Sequence, residues 1–371
     1  MINWADVRKQ FPVTQSYVYL NAAAAGPLAV STQRAAAEYY ELMMNEGDVQ
    51  WDHWLEKREQ VRARVAAFIN AEPDEIGFTT NTSSGMNLII DALESQREVI
   101  SSELEFPVST LPWMHRGMKV RLVNPVDGVV RLDDLHEAID GRPKILSLSY
   151  VQYSNGFRLD LDQLASIKED CTVVINASQA AGVFEIDVKR MKIDALCTTG
   201  HKWMLAGYGS GFVYLSRELQ QRSRPRSIGW LSVDEPYAMR NNEVHLRNDA
   251  SARAELGCPH FAGIFALGAS VELMLELGIR NIEERALSLN RRLTERLIGS
   301  GWQVLSPLQD EQFRSAQTLV RTDNPSQVVA ALAENKVLVT EKPEGIRIAT
   351  DFFNNEDDFD QLLESLNNLQ K

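Results

Sequence analysis

The chain has 371 residues, 44% hydrophobic and 24% charged, the balance of an ordinary globular protein long enough for two domains. Its 38 Lys and Arg against 51 Asp and Glu leave a formal net charge of −13, which repels nucleic acid and anionic membrane, so neither is expected as a partner. No apolar run reaches the ~18 residues that span a bilayer, Met1-Ile2-Asn3-Trp4-Ala5-Asp6 lacks the regions of a signal peptide, and Cys171, Cys197 and Cys258 are too widely spaced for a disulfide framework or zinc site, so a cytoplasmic protein with reduced thiols and no metal is expected.

In chain order, the apolar stretch Tyr17 to Asn21 leads into Ala22-Ala23-Ala24-Ala25-Gly26-Pro27. Helical spacing follows over 31–45, and again where Trp54, Val61, Val65 and Phe68 share one face. Pro73-Asp74 punctuates the chain before a short strand, Ile76 to Thr80. A regular alternation then sets in. Strands are predicted at 98–103, 119–124, 144–151, 172–177, 193–198 and 210–215, with helices at 84–94, 131–139 and 161–169. Such alternation argues for an α/β domain with a largely parallel sheet. Beyond about residue 240 the pattern changes. Two long helices, near 260–277 and 281–298, precede strands near 302–306, 316–321, 337–341 and 345–350. Asn324-Pro325-Ser326 reads as a helix start, and an amphipathic helix closes the chain over Glu356–Leu369. This is a smaller α/β unit.

The chemistry concentrates between Val173 and Leu215. Val173-Val174-Ile175-Asn176-Ala177-Ser178-Gln179-Ala180-Ala181-Gly182 and Thr198-Thr199-Gly200-His201-Lys202-Trp203 are apolar strands that each end in a polar cluster, and Gly207-Tyr208-Gly209-Ser210-Gly211-Phe212 follows. Ligands of open parallel sheets sit at the carboxyl ends of the strands, so both clusters face one crevice. A lysine there sheds its proton when desolvated and becomes a nucleophile toward an aldehyde. Alone, a loop lysine is a solvated charge; the surrounding pattern makes this one specific. At Asn81-Thr82-Ser83-Ser84-Gly85 a strand gives way to a helix, bringing hydroxyls, free N–H groups and the positive end of a helix dipole together, which suits an anion as well as a simple cap.

These motifs resemble the fold-type I pyridoxal 5′-phosphate (PLP) enzymes of the class V aminotransferase and cysteine desulfurase group, with isopenicillin N epimerase and kynureninase among its relatives. The resemblance runs from Tyr19-Leu20-Asn21 to Arg347 and the terminal helix. It implies a mostly parallel seven-stranded sheet with helices on both faces, spanning 16–250, plus a smaller C-terminal α/β domain formed by 1–15 and 251–371. It also implies a homodimer with active sites at the interface. By the same resemblance Lys202 forms the Schiff base and shuttles the proton at Cα of a small amino-acid substrate. Thr82, Ser83, Thr199 and His201 contact the cofactor phosphate, Gln179 its phenolic oxygen and Asn176 its ring nitrogen. Phe106, in Glu105-Phe106-Pro107, takes the ring-stacking position. Tyr153, in Val151-Gln152-Tyr153-Ser154-Asn155-Gly156, lines the pocket, and Arg347, in Gly345-Ile346-Arg347-Ile348-Ala349, grips the substrate carboxylate. The pocket is expected to be assembled from loops at 22–26, 106–110 and 228–232 together with 347.

The chain departs from that pattern twice. Asn176 stands where the family has an aspartate, and a neutral amide cannot hold the pyridine nitrogen protonated, which predicts a weaker electron sink. No cysteine lies between Asn324 and Arg347, where desulfurases carry their nucleophilic thiol, and Cys258 occupies the place of a threonine lent to the partner's cofactor phosphate. The resemblance therefore implies transamination, epimerisation or lyase chemistry rather than persulfide-type desulfuration. A noncatalytic PLP-binding protein acting through protein contacts is the alternative.

Overall fold

The computed structural model describes residues 2–93, 98–140 and 144–369. Its strands, in chain order, are β1 (Val18–Tyr19), β2 (Ile76–Phe78), β3 (Glu98–Ser102), β4 (Lys119–Val123), β5 (Ile145–Ser149), β6 (Thr172–Asn176), β7 (Ala195–Cys197) and β8 (Phe212–Leu215), then β9 (Gln317–Arg321), β10 (Val337–Leu338), β11 (Thr340–Lys342) and β12 (Gly345–Ala349). The central sheet has seven strands in the order β2-β8-β7-β6-β5-β3-β4. Its pairings are parallel except for β2–β8 and β7–β8. This is the α/β, mostly parallel seven-stranded architecture that the sequence resemblance implies.

The uninterrupted apolar character of β6 has a direct cause. Side chains alternate between faces, and here both faces are covered, as parallel sheets require. Val99, Ile145, Val174, Ala195 and Val213 meet Met86, Ile89, Ile90 and Leu93 of the helix Thr82–Leu93 on one face. Ile100, Leu146, Val173, Ile175 and Leu196 enter the main core on the other. The apolar helix Phe261–Leu277 belongs to that core, packed on the helices Val30–Glu46 and Trp51–Phe68. The predicted face of Trp54, Val61, Val65 and Phe68 is buried there. Among the described residues no single helix is long and apolar enough to cross a membrane.

A second core gathers around the sheet β11-β12-β9. Leu289, Leu293 and Leu297 of the helix Ile279–Gly299 meet Phe359, Leu362 and Leu366 of the terminal helix Glu356–Asn368 in it. The N-terminal segment joins this part: Val18 and Leu20 enter the second core, β1 pairs with β10, and Arg8 makes a bidentate ion pair with Asp358 at 2.8 and 2.9 Å.

Several sequence expectations change in detail. The strand expected at 302–306 reduces to a single bridge between Val304 and Val320, because the Leu319 amide donates to the Ser306 hydroxyl oxygen rather than to a backbone carbonyl that would continue the ladder. The strand expected at 337–341 is divided between two sheets, as β10 pairs with β1 and β11 with β12. The helix expected at 84–94 starts earlier, at Thr82, and its expected last residue, 94, lies outside the described residues.

Candidate active site

The carboxyl ends of β6 and β7 lie side by side, with Asn176 paired to Cys197, and the polar clusters that follow them open into one cavity of about 340 Å³. Thr82 and Ser83 reach it from the first turn of the helix after β2, and Phe106, Ser149 and Tyr153 from the ends of β3 and β5. Arg347 and Lys342 close it from the small sheet. Ten of the eleven residues singled out above line this cavity: Thr82, Ser83, Phe106, Tyr153, Asn176, Gln179, Thr199, His201, Lys202 and Arg347.

Lys202 sits in the loop between β7 and β8. Two close approaches hold that loop. Gly26 donates its N–H to the His201 carbonyl at 2.7 Å, and a Cβ on Gly26 would collide with the Lys202 carbonyl oxygen. Gly182, at φ +104°, leaves room for the Trp203 carbonyl. Trp203 in turn donates from Nε1 to Gln179 Oε1 at 2.8 Å, while Gln179 Nε2 donates to the Ala23 carbonyl at 3.0 Å. The lysine amine has no hydrogen-bond partner among the described residues and lies 5.9 Å from the Phe106 ring centre. Burial, then Arg347 and Lys342, push its pKa down to about 7, which leaves a substantial neutral, nucleophilic fraction near neutral pH. His201 accompanies it: burial and Lys202 push its pKa down to about 4, so the ring is neutral. It is stacked on Tyr208 and 2.6 Å from the Thr199 hydroxyl.

Asn176 is the centre of a buried hydrogen-bond chain. Its Oδ1 accepts from the Ser178 amide at 3.1 Å and the Ser178 hydroxyl at 2.6 Å, and a backbone N–H can only donate, so the orientation of the amide is determined. Its Nδ2 donates to Ser109 Oγ at 3.1 Å. Thr82 Oγ1 is 2.6 Å from Ser178 Oγ, whose proton is committed to Asn176, so Thr82 is the donor of that pair. At the far end, Glu105 accepts from the Ser149 amide at 2.7 Å, from Gln152 at 2.6 Å, and from the hydroxyls of Ser149 and Ser109. Burial pushes the Glu105 carboxyl up and these donors oppose it. Both acceptor positions of Asn176 are therefore filled, and one amide N–H is left for the cavity.

Arg347 is 4% exposed; Nη1 donates to the Tyr153 carbonyl at 3.1 Å and Nε has no acceptor. Burial pushes its pKa down to about 10. Phe106 and Tyr153 meet edge to face with centroids 5.1 Å apart. Thr82 and Ser83 occupy the first turn of a helix capped by Asn81, which accepts from the Ser84 amide at 3.0 Å, so their own N–H groups have no acceptor within the helix.

Cys258 does not reach the cavity of its own chain. It is exposed and lies beside Gly209 and His260 in a neighbouring cleft. The loop 228–232 is likewise elsewhere, with Trp230 against Tyr237 in a separate cavity. Cys171 and Cys197 are buried in the cores, so no thiol lines the site. Lys342 was not foreseen as a site residue. Its signal was the alternation of β11 against β12, obscured by a predicted strand that ran from 337 to 341. Ser178, Ser109 and Glu105 also lacked a local signal, since the chain linking them spans β3, β5 and β6.

The aminotransferase class-V family profile matches residues 18–354. The chain belongs to the class-V aminotransferase family. Its members use PLP, so this class-V protein is a PLP-dependent enzyme of that family. It is 30% identical to a probable cysteine desulfurase from Methanothermobacter thermautotrophicus, over 78% of this chain and 74% of that one. It is 26% identical to the isopenicillin N epimerase of Amycolatopsis lactamdurans, over 99% of each. Among solved structures, the apo cysteine desulfurase of Thermococcus onnurineus NA1 superposes with a TM-score of 0.90 at 24% identity, covering 100% of this chain and 98% of that one. The cystine C–S lyase C-DES, in complex with cysteine persulfide, superposes at 0.86 with 20% identity, covering 96% and 99%.

Proposed function

We propose that this class-V enzyme acts at Cα of a small amino acid through Lys202, by transamination, epimerisation or lyase-type elimination. The observation that carries the reading is the Lys202 amine, buried, unpaired and depressed to about pKa 7 in a cavity it shares with Arg347 and a helix N-terminus. The donor set suits a phosphorylated pyridine aldehyde: Thr82, Ser83, Thr199 and His201 for the phosphate, Gln179 for the phenolic oxygen, Asn176 for the ring nitrogen and Phe106 for the ring face. When bound, PLP supplies an aldehyde for the lysine and a ring that draws electrons from the substrate Cα. Arg347 fixes the substrate carboxylate through its fork of N–H donors. With the cofactor in place, Lys202 would be the group that holds or moves the proton at the substrate Cα. Phe106 would cover one face of the ring and cannot itself exchange protons, which leaves proton transfer to Lys202.

The absence of a thiol from the cavity lining supports a route other than persulfide desulfuration. Lys202 and Arg347, neither in an ion pair among the described residues, support turnover over a purely noncatalytic role. The visible spectrum of protein reconstituted with PLP tests the reading. A band that borohydride converts into a pyridoxyl adduct on Lys202, and that shifts with particular amino acids, is expected. A protein that forms no band with PLP refutes it.

A further inference from the structure

Arg347 is not alone in the cavity. In the β11–β12 hairpin Thr340 pairs with Arg347 and Lys342 with Gly345. Successive side chains alternate between faces, so Lys342 and Arg347 share one face as diagonal neighbours. No side chain stands between them. The position opposite Lys342 is Gly345, where a Cβ would collide with the Val320 carbonyl oxygen. Lys342 lies 4.4 Å from the centre of the Tyr153 ring, whose backbone carbonyl takes the Arg347 hydrogen bond, so one residue braces both cations.

Among the described residues neither cation forms an ion pair, and the charge of Glu344 only partly offsets that of Lys342. Among the described residues Lys342 makes no hydrogen bond or ion pair, and Arg347 leaves Nε unsatisfied at 4% exposure. Glu344, in the same hairpin, is exposed and forms no ion pair with Lys342 among the described residues. In a chain of net charge −13, no aspartate or glutamate among the described residues lines the cavity. Burial and Arg347 push the Lys342 pKa down to about 8, so the pair is held together at a cost that a bound anion relieves. A single α-carboxylate satisfies the planar fork of Arg347. The compact ammonium of Lys342 then remains for a second acidic group.

We propose that Lys342 and Arg347 form a two-point anion site, and that the substrate is an amino acid with a carboxylate in its side chain. This deepens the proposed function and rests on it for the word substrate. Lys342 is the specificity-determining residue and Arg347 the common anchor. The hairpin carries both from the small sheet, and the phosphate-type donors of Thr82 and Ser83 come from the helix Thr82–Leu93 that packs on the large one, so the two anion sites use different elements.

Calorimetric titration of the PLP-reconstituted protein tests this with glutarate, succinate and butyrate, which carry no amine and do not react. At least one dicarboxylate is expected to bind tenfold or more tightly than butyrate. Lys342→Met is expected to abolish that preference. Lys342→Arg retains the preference, and Arg347→Met weakens all three ligands. Equal affinities in the wild type, no measurable binding, or a preference that survives Lys342→Met overturns the assignment. Borohydride reduction of the same sample separates the two readings. Without an adduct on Lys202 the cofactor reading fails, while the carboxylate preference is still read by calorimetry.

Discussion

Replacing Lys202 with methionine in the cofactor-free protein should stabilise it, and the gain should depend on pH in a defined direction. The buried amine has its pKa lowered from 10.5 to about 7. In the folded state the charged form is the disfavoured one, so between these values the unfolded chain binds the extra proton and stability rises with pH. The penalty is full below about pH 7 and fades toward 10.5. At about 1.4 kcal/mol per pKa unit the upper limit is roughly 5 kcal/mol. Methionine has similar length and no charge, so it removes the penalty while preserving packing. Urea unfolding of both apo proteins at pH 6, 8 and 9.5 measures the difference. The variant should be more stable by roughly 3–5 kcal/mol at pH 6, falling to roughly 1 kcal/mol at pH 9.5. A difference that does not change with pH, or a less stable variant at pH 6, would refute the claim that its surroundings depress the Lys202 pKa.

Asn176→Asp places a carboxylate where one amide N–H now faces the cavity. The absorbance band of the reconstituted variant should shift and turnover should rise, each pKa unit gained at the ring nitrogen being worth about 1.4 kcal/mol; an unchanged spectrum and rate argues that this position does not tune the cofactor. Glu255 accepts from Arg62 at 2.5 and 2.9 Å and from the Phe78 amide, and Arg62 is 4% exposed. Glu255→Ala strands that guanidinium and should cost roughly 3–5 kcal/mol in urea unfolding, and a loss under about 1 kcal/mol would show that Glu59 alone suffices. Burial pushes the Cys197 thiol up and shields it. Cys171 and Cys197 should therefore resist a thiol reagent in the native protein and react on unfolding, and rapid native labelling of either would contradict the packing described for them.

What local pattern can report, it reported well. The apolar run Val173-Val174-Ile175 signals a strand covered on both faces, because only burial on both sides tolerates it. Asn355 and the first turn of the terminal helix carry a capping signature legible from residue types alone. The lysine motif is equally local: Thr199, His201 and Lys202 sit within four residues, and Gln179 is on the neighbouring strand end. The glycines follow from the same motif, since the loop must pass Gly26 and Gly182 without a side chain in the way.

The tertiary structure decided what depends on convergence. Residues 337–341 hold enough apolar character for one strand, yet the chain turns between sheets, because β1 lends an edge to β10 and β12 pairs with β11. Lys342 is an unremarkable hairpin lysine until that register turns it to the face of Arg347. The chain from Thr82 through Ser178, Asn176 and Ser109 to Glu105 joins segments up to 96 residues apart. It determines that Asn176 offers the cavity a donor, something its identity alone leaves open. Residue type and periodicity report which face of a segment is buried. The partner waiting at that face comes from elsewhere in the chain, and only packing brings the two together.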